Sequence, residues 1–280
     1  MSIFQAASCQ TILVNGQIMD FNVPKVMGIL NLTPDSFYDN GRFVDLQQAK
    51  DHASNLLDEG ADILDLGAYS TRPGAKEISV QEELDRIMPM VEYLHQYSPQ
   101  TILSIDTFRS QVASETVHAG AHIINDVSGG LLDAKMFETV ATLQVPYILM
   151  HMRGTPATMQ NFTDYDDLVS DVATHLGKAI SQLRKFGVKD IILDPGFGFA
   201  KTIAQNYELL LRVDELQYFG LPILGGISRK SMIYKKINKT ADDVLPGTIA
   251  LNTLLLQKGV QLLRVHDVKE AKQLIEIFYS

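Results

Sequence analysis

An eight-stranded (β/α) barrel of the TIM type, preceded by a β-hairpin, is the fold class this sequence predicts, and three observations predict it. Short apolar runs recur eight times, a segment of helical periodicity follows each run, and polar residues gather where the runs end. The length of 280 residues suits one such barrel, which takes about 250 residues. A single domain over 1–280 is therefore expected, with a hairpin at 11–21 and the barrel from 25 to 280.

The hairpin is read from Asn15-Gly16, a dipeptide suited to a type I′ turn because both central residues need positive φ. It is expected to cover the barrel floor. The eight runs are 26–32, 62–67, 102–106, 122–127, 146–152, 191–195, 222–227 and 260–265. They are nearly continuous in apolar residues, as parallel strands buried on both faces should be. Between them, apolar residues fall at helical spacing: Leu46, Ala49, Ala53, Leu56 and Leu57; Val80, Leu84, Ile87, Val91 and Leu94; Leu168, Val172, Leu176, Ile180 and Leu183; Val268, Ala271, Leu274, Ile275 and Phe278. Each set forms one apolar stripe on an otherwise polar helix. Asp267 and Glu270 have capping-box spacing at the start of the last one. An open doubly wound sheet is the alternative architecture. A dinucleotide binder of that kind would carry Gly-x-Gly-x-x-Gly after its first strand, whereas this turn reads Asn31-Leu32-Thr33-Pro34-Asp35-Ser36.

Composition narrows the function. A net charge of −9 repels nucleic-acid backbones and anionic lipid, so neither is an expected partner. An anionic small molecule remains compatible, since it needs positive groups only within about one Debye length, ~8–10 Å. Cys9 is the sole cysteine, which excludes an intramolecular disulfide and a cysteine metal cage and suits a reducing cytoplasm. Residues 1–10 lack a signal-peptide pattern, and no run of ~18 apolar residues occurs. A cytoplasmic protein is expected.

The chemistry should lie where strands run into loops. Read in order, those positions hold Asn31, Ser70-Thr71-Arg72, Asp106, Asn125-Asp126, His151, Asp194, Ser228-Arg229-Lys230-Ser231, and Arg264 with His266. Any one Asp or Asn here could be a helix cap. Asp106, Asn125 and Asp194, however, each close an apolar run, and together they offer acceptors and donors to the edge of a flat nitrogen heterocycle, an Asp pairing well with an N–C–NH₂ edge. Arg72, Lys230, Arg264 and His266 would face an anionic group, helped by backbone N–H groups after Ser228-Arg229. For Arg229 and Arg72, solvated surface charge is an equally good reading. Gly196 and Gly198 allow a tight loop from which Phe199 can project, or simply a turn. Gly225-Gly226 either opens space for a ring or allows dense packing.

These motifs resemble those of the dihydropteroate synthases, within the pterin-binding barrel family. The marks are Gly28-Ile29-Leu30-Asn31-Leu32-Thr33-Pro34-Asp35-Ser36-Phe37, Ser70-Thr71-Arg72-Pro73-Gly74, Ser104-Ile105-Asp106-Thr107, Ile124-Asn125-Asp126-Val127-Ser128, Met150-His151-Met152, Asp194-Pro195-Gly196, Ser228-Arg229-Lys230-Ser231 and Arg264-Val265-His266-Asp267. The resemblance implies a Mg²⁺-assisted transferase of folate biosynthesis and a homodimer. It would condense 6-hydroxymethyl-7,8-dihydropterin diphosphate with 4-aminobenzoate, giving 7,8-dihydropteroate and diphosphate, and would be a sulfonamide target. It also implies that Asp106, Asn125, Met150, Asp194, Gly226 and Lys230 bind the pterin. Asn31, Arg264 and His266 would bind diphosphate, with Asn31 contacting Mg²⁺; Thr71, Arg72, Pro73, Phe199 and Ser231 would bind 4-aminobenzoate. Lys230, Arg264, Asp106 and Asp194 are the catalytic set it implies. Two positions depart from the family pattern: Tyr69 stands where Glu is frequent, and Ala200 where Gly often follows Phe199.

Rival readings are a corrinoid methyltransferase of the same barrel type, which has no need of a diphosphate pocket, and an aldolase using Lys230 as Schiff-base former. A metal-dependent barrel hydrolase would want a His pair where Asn31 stands, and a pterin-binding protein without chemistry would not need Arg72, Lys230, Ser231 and Arg264 together.

Overall fold

The computed structural model describes residues 10–33, 46–70 and 76–279. Its first elements are β1 (Thr11–Val14) and β2 (Gln17–Asp20), an antiparallel pair turning at Val14↔Gln17. Asn15 (φ 49°) and Gly16 (φ 70°) both take the left-handed backbone that the turn requires.

The alternation then runs β3 (Lys25–Asn31), α1 (Leu46–Asp58), β4 (Ile63–Gly67), α2 (Val80–Tyr97), β5 (Ile102–Asp106), α3 (Ser110–His118), β6 (Ile123–Asp126) and α4 (Met136–Leu143). It continues through β7 (Tyr147–Met150), α5 (Leu168–Phe186), β8 (Ile191–Asp194), α6 (Ile203–Arg212), β9 (Leu224–Gly225), α7 (Ser231–Tyr234), α8 (Leu245–Gln257), β10 (Leu262–Val265) and α9 (Val268–Tyr279). The barrel strands lie side by side in the order β8-β7-β6-β5-β4-β3-β10-β9. A parallel bridge between Leu193 and Ile223 and the Leu193 N–H to Pro222 carbonyl bond of 2.8 Å bring the two ends of that order together.

The seventh run, expected over 222–227, is regular only at Leu224–Gly225. Pro222 has no N–H to give a ladder, and beyond Gly225 the chain turns into the barrel mouth. The two adjacent glycines serve different ends. A Cβ on Gly225 would come within 2.6 Å of Leu255 Cδ1, so this glycine lets α8 pack; a Cβ on Gly226 would meet nothing nearer than Leu224 Cδ2 at 3.6 Å, with Lys230 Nζ at 3.9 Å.

Two apolar layers hold the strands. Outside, one-sided helices pack on the sheet as the periodicity predicts: α5 buries Leu168, Val172, Leu176, Ile180 and Leu183. It starts on the Asp167 carboxylate, which accepts the Ser170 N–H at 2.8 Å, and stops at Gly187, φ 96°. Leu46, expected on the buried stripe of α1, is exposed at that helix's first residue. Inside, the floor joins Ile12, Val14 and Phe21 of the hairpin region to Met27, Ile63, Ile123, Ile148 and Ile192. The hairpin is thus a lid on the N-terminal end, tied by the Leu13 N–H to Asp190 (3.0 Å) and by Gln261 to Gln10 (2.6 Å). At Asp267, where a capping box with Glu270 was expected, both carboxylate oxygens accept from Arg229, at 3.1 and 2.6 Å. A complete one opens α6, where Thr202 and Gln205 bond reciprocally.

Candidate active site

The C-terminal strand ends surround a cavity of about 500 Å³. Its lining includes Asn31, Ser70, Asp106, Asn125, Met150, Asp194, Phe199, Gly226, Lys230, Ser231, Arg264 and His266. Thr71, Arg72 and Pro73 lie outside the described residues, as do Pro34 to Phe37.

Strand alternation sorts the polar pairs at these ends. Asn125 faces the cavity while Asp126 turns away. The Asp126 carboxylate is fully buried and accepts the Ser128 and Gly130 N–H groups at 2.7 and 2.8 Å and the Tyr147 hydroxyl at 2.6 Å. Burial pushes both the Asp126 and the Tyr147 pKa up. Likewise Met150 lines the cavity and His151 lies behind it, buried. Asp126 and His151 shape loops and do not reach the mouth.

A carboxylate that was not among the sequence candidates sits at the centre. Asp65 is fully buried in β4 and accepts Arg264 Nε at 2.6 Å, Asn125 Nδ2 at 3.0 Å and the Ser104 hydroxyl at 2.6 Å. Arg264 also gives Nη2 to Asp106 at 2.8 Å. One guanidinium therefore serves two carboxylates. Burial raises the Asp106 pKa, Arg264 opposes that rise, and Asp65 adds to it. Burial on its own would lower the Arg264 pKa, but Asp65 and Asp106 hold it above its ordinary value, so it stays cationic. A charged residue in the apolar stretch Ile63-Leu64-Asp65-Leu66 is the signal that would have exposed Asp65, since an unpaired carboxylate there costs several kcal/mol.

On the opposite wall, burial lowers the Lys230 ammonium to about 8 against the pull of Asp194. It donates to the Phe197 carbonyl and lies 5.0 Å from the Phe199 ring centre. Asp194 is raised by the same burial, with Lys230 opposing, and accepts the Gly196 N–H at 2.7 Å. Gly196 is required here, because at φ 72° a Cβ would lie 2.0 Å from the His151 carbonyl oxygen. Behind this loop is a buried lysine that was not among the sequence candidates, Lys201. Burial depresses its ammonium to about 7, with Asp194 opposing.

At the remaining edge, Ser228 and His266 Nδ1 are 3.1 Å apart. Arg229 (φ 55°) directs its guanidinium to Asp267 and Asp242, so its charge is already matched. The helix after it, α7, has only four residues, which limits the dipole expected to help there. Tyr69 stacks edge-on against Phe108 (5.0 Å, 82°) beneath the Arg109 guanidinium. Ala200 holds φ 49° while its carbonyl accepts the Tyr165 hydroxyl at 2.9 Å.

The profile of the pterin binding enzymes matches residues 27–266. Dihydropteroate synthase of Escherichia coli K12 is 41% identical over 268 residues, covering 95% of this chain and 94% of that protein. This chain belongs to the dihydropteroate synthase family. The family's solved structures superpose closely: a Yersinia pestis dihydropteroate synthase in complex with a sulfonamide drug matches with a TM-score of 0.90 at 43% identity, over 96% of this chain and 98% of that one. The Xanthomonas albilineans dihydropteroate synthase with 4-aminobenzoic acid matches with a TM-score of 0.89 at 38% identity, over 96% and 97%. Family membership makes this chain a transferase and decides against the aldolase, although burial does give Lys230 the lowered pKa that reading needs.

Proposed function

We propose that the barrel mouth holds a dihydropterin on Asp106, Asn125, Asp194 and Lys230, with Met150 and Gly226 lining its slot, and a diphosphate beside Asn31, Arg264 and His266. The reaction is that of a dihydropteroate synthase: 6-hydroxymethyl-7,8-dihydropterin diphosphate condenses with 4-aminobenzoate to 7,8-dihydropteroate and diphosphate. The observation that carries the residue assignment is the convergence of two carboxylates, a carboxamide, a half-buried lysine and a charged guanidinium on one cavity. That donor and acceptor set matches a flat heterocycle joined to an anion.

In this reading Asp194 and Asp106 accept N–H groups of the pterin edge, and Lys230 and Asn125 donate to its acceptors. Arg264 stands between the two halves of the substrate. Its charge stabilises the oxygen that leaves as the methylene C–O bond breaks and the electron pair departs with diphosphate. The electron-rich pterin, held by the carboxylates, spreads the positive charge left on the methylene carbon. The neutral amine of 4-aminobenzoate, lodged by Phe199, Ser231 and residues 71–73, then forms the C–N bond and releases its proton to solvent.

Among the described residues no three His, Cys, Asp or Glu side chains come together as a metal cage. A Mg²⁺ ion nevertheless fits the donor set at Asn31, because Mg²⁺ keeps several waters and takes most other ligands from substrate phosphates. Asn31 would hold it through its carboxamide oxygen, and the ion would neutralise charge on the leaving diphosphate. The resemblance implies a homodimer, and the single cysteine suits a reducing cytoplasm.

The test is diphosphate release and pteroate formation by purified protein given the pterin diphosphate, Mg²⁺ and 4-aminobenzoate. Turnover is expected, with Lys230→Ala and Asp194→Ala inactive yet folded. Pterin binding with no diphosphate release would overturn the reading in favour of a binding protein.

A further inference from the structure

The loop that leaves β8 carries Asp194 at one end and Phe199 near the other, and two lysines grip it from opposite sides. Lys230, on the cavity side, donates to the Phe197 carbonyl. Lys201 lies beneath the loop, only 4% exposed, and donates to the Gly196 carbonyl at 2.9 Å and the Phe199 carbonyl at 3.1 Å. Its Nζ also lies 3.0 Å from His151 Nδ1. Burial pushes the His151 pKa far down, with Lys201 as the next cause. The ring is therefore neutral, and wherever Lys201 is an ammonium His151 Nδ1 must accept from it, the ring proton then lying on Nε2. As an ammonium, Lys201 directs its three donors to the two ends of one loop and to the residue just past the neighbouring strand.

We propose that Lys201 is a positioning residue for the second substrate, fixing the loop so that the Phe199 ring stands in the 4-aminobenzoate pocket. The inference rests on the reading that Phe199 lines that pocket. Its effect should be selective. Asp194 is set by the sheet itself, paired in register with Met150, and by the Gly196 N–H. Phe199 belongs to no strand or helix. Its backbone is held by its own N–H to the Gly196 carbonyl at 3.2 Å and by the Lys201 ammonium. The rest of the loop is tied through Asn206, which accepts the Gly198 N–H at 2.6 Å and donates to the Lys201 and Thr202 carbonyls. With Lys201 removed, the two carbonyls lose their common donor while Asp194 keeps both of its constraints.

The experiment is a double-mutant cycle on the full chain with Lys201→Met, Phe199→Ala and the pair. It reads the KM for 4-aminobenzoate and, separately, the Kd for the pterin diphosphate without the second substrate. Lys201→Met is expected to raise that KM by about tenfold, as expected for a group displaced by a fraction of an ångström, with pterin Kd changed less than about twofold. In the Phe199→Ala background it should add little further. Lys201→Arg, which keeps the charge and donors, should recover part of the effect and serves if the methionine variant is poorly folded. An unchanged KM, an equal rise in pterin Kd, or full additivity with Phe199→Ala would each overturn the proposal. If Phe199→Ala itself left KM unchanged, the assignment of Phe199 to the pocket would fail first, separately from the role of Lys201.

Discussion

At the scale of single residues, the site is organised by charges removed from water and matched to one another. Arg264 pairs with both Asp65 and Asp106, which hold it cationic, and Asp194 favours the charged form of Lys230. Such groups stay charged in a buried place only with their partners present. Substrate edges can then replace solvent, not protein contacts. Lys230 gives this a pH signature. Burial lowers its ammonium to about 8 from an ordinary value of 10.5, so the cationic donor is fully present below that pH and is lost as pH rises through it. The Kd for the pterin diphosphate should therefore weaken as pH passes about 8. A Lys230→Met variant should bind more weakly at neutral pH and lack that inflection. A wild-type titration curve flat from pH 7 to 9 would remove Lys230 from the pterin site.

At the scale of elements, what the sequence made legible was whatever has a period or a fixed local rule. The helical stripes, the buried runs and the Asn15-Gly16 turn follow from spacing and from allowed φ, and the structure has them. The polar ends of the strands were legible because they interrupt apolar runs. Tertiary partners were not. Asp267 has capping-box spacing, yet Arg229, 38 residues away, takes its carboxylate, and nothing in local pattern announces that Lys201 will be buried under a loop. Asp65 was legible in principle as a charge inside an apolar run, but the pattern of polar strand ends does not include it. The β8 loop shows how strict a local rule can be. At Gly196 both the positive φ and the 2.0 Å approach to the His151 carbonyl oxygen forbid a side chain. Gly196→Ala should therefore force the loop away from His151 and cut kcat/KM by about 100-fold or more, since near 1 Å of misplacement carries that penalty. Retained activity within a few-fold would mean the loop tolerates a quite different path.

At the scale of the whole molecule, the barrel divides its labour between two ends. Charge and open space lie at the C-terminal mouth, and the N-terminal floor is an apolar layer covered by the hairpin. Stability and chemistry should therefore be separable by mutation. Phe21 is 5% exposed and packs in the floor cluster, while no floor side chain in that cluster lines the cavity. Truncation to Ala removes a buried aromatic ring and leaves a void, typically at a cost of 3–5 kcal/mol, or roughly that much here. For a domain of this size each kcal/mol lowers Tm by about 2–4 °C, so Phe21→Ala should melt on the order of 10 °C earlier. At 25 °C, below that transition, its kcat and both KM values should match the wild type, because the floor cluster shares no side chain with the cavity lining. A comparable melting shift accompanied by a large fall in kcat would show instead that the floor sets the spacing of the strand ends. In that case the hairpin would belong to the catalytic architecture as well as to the stability of the fold.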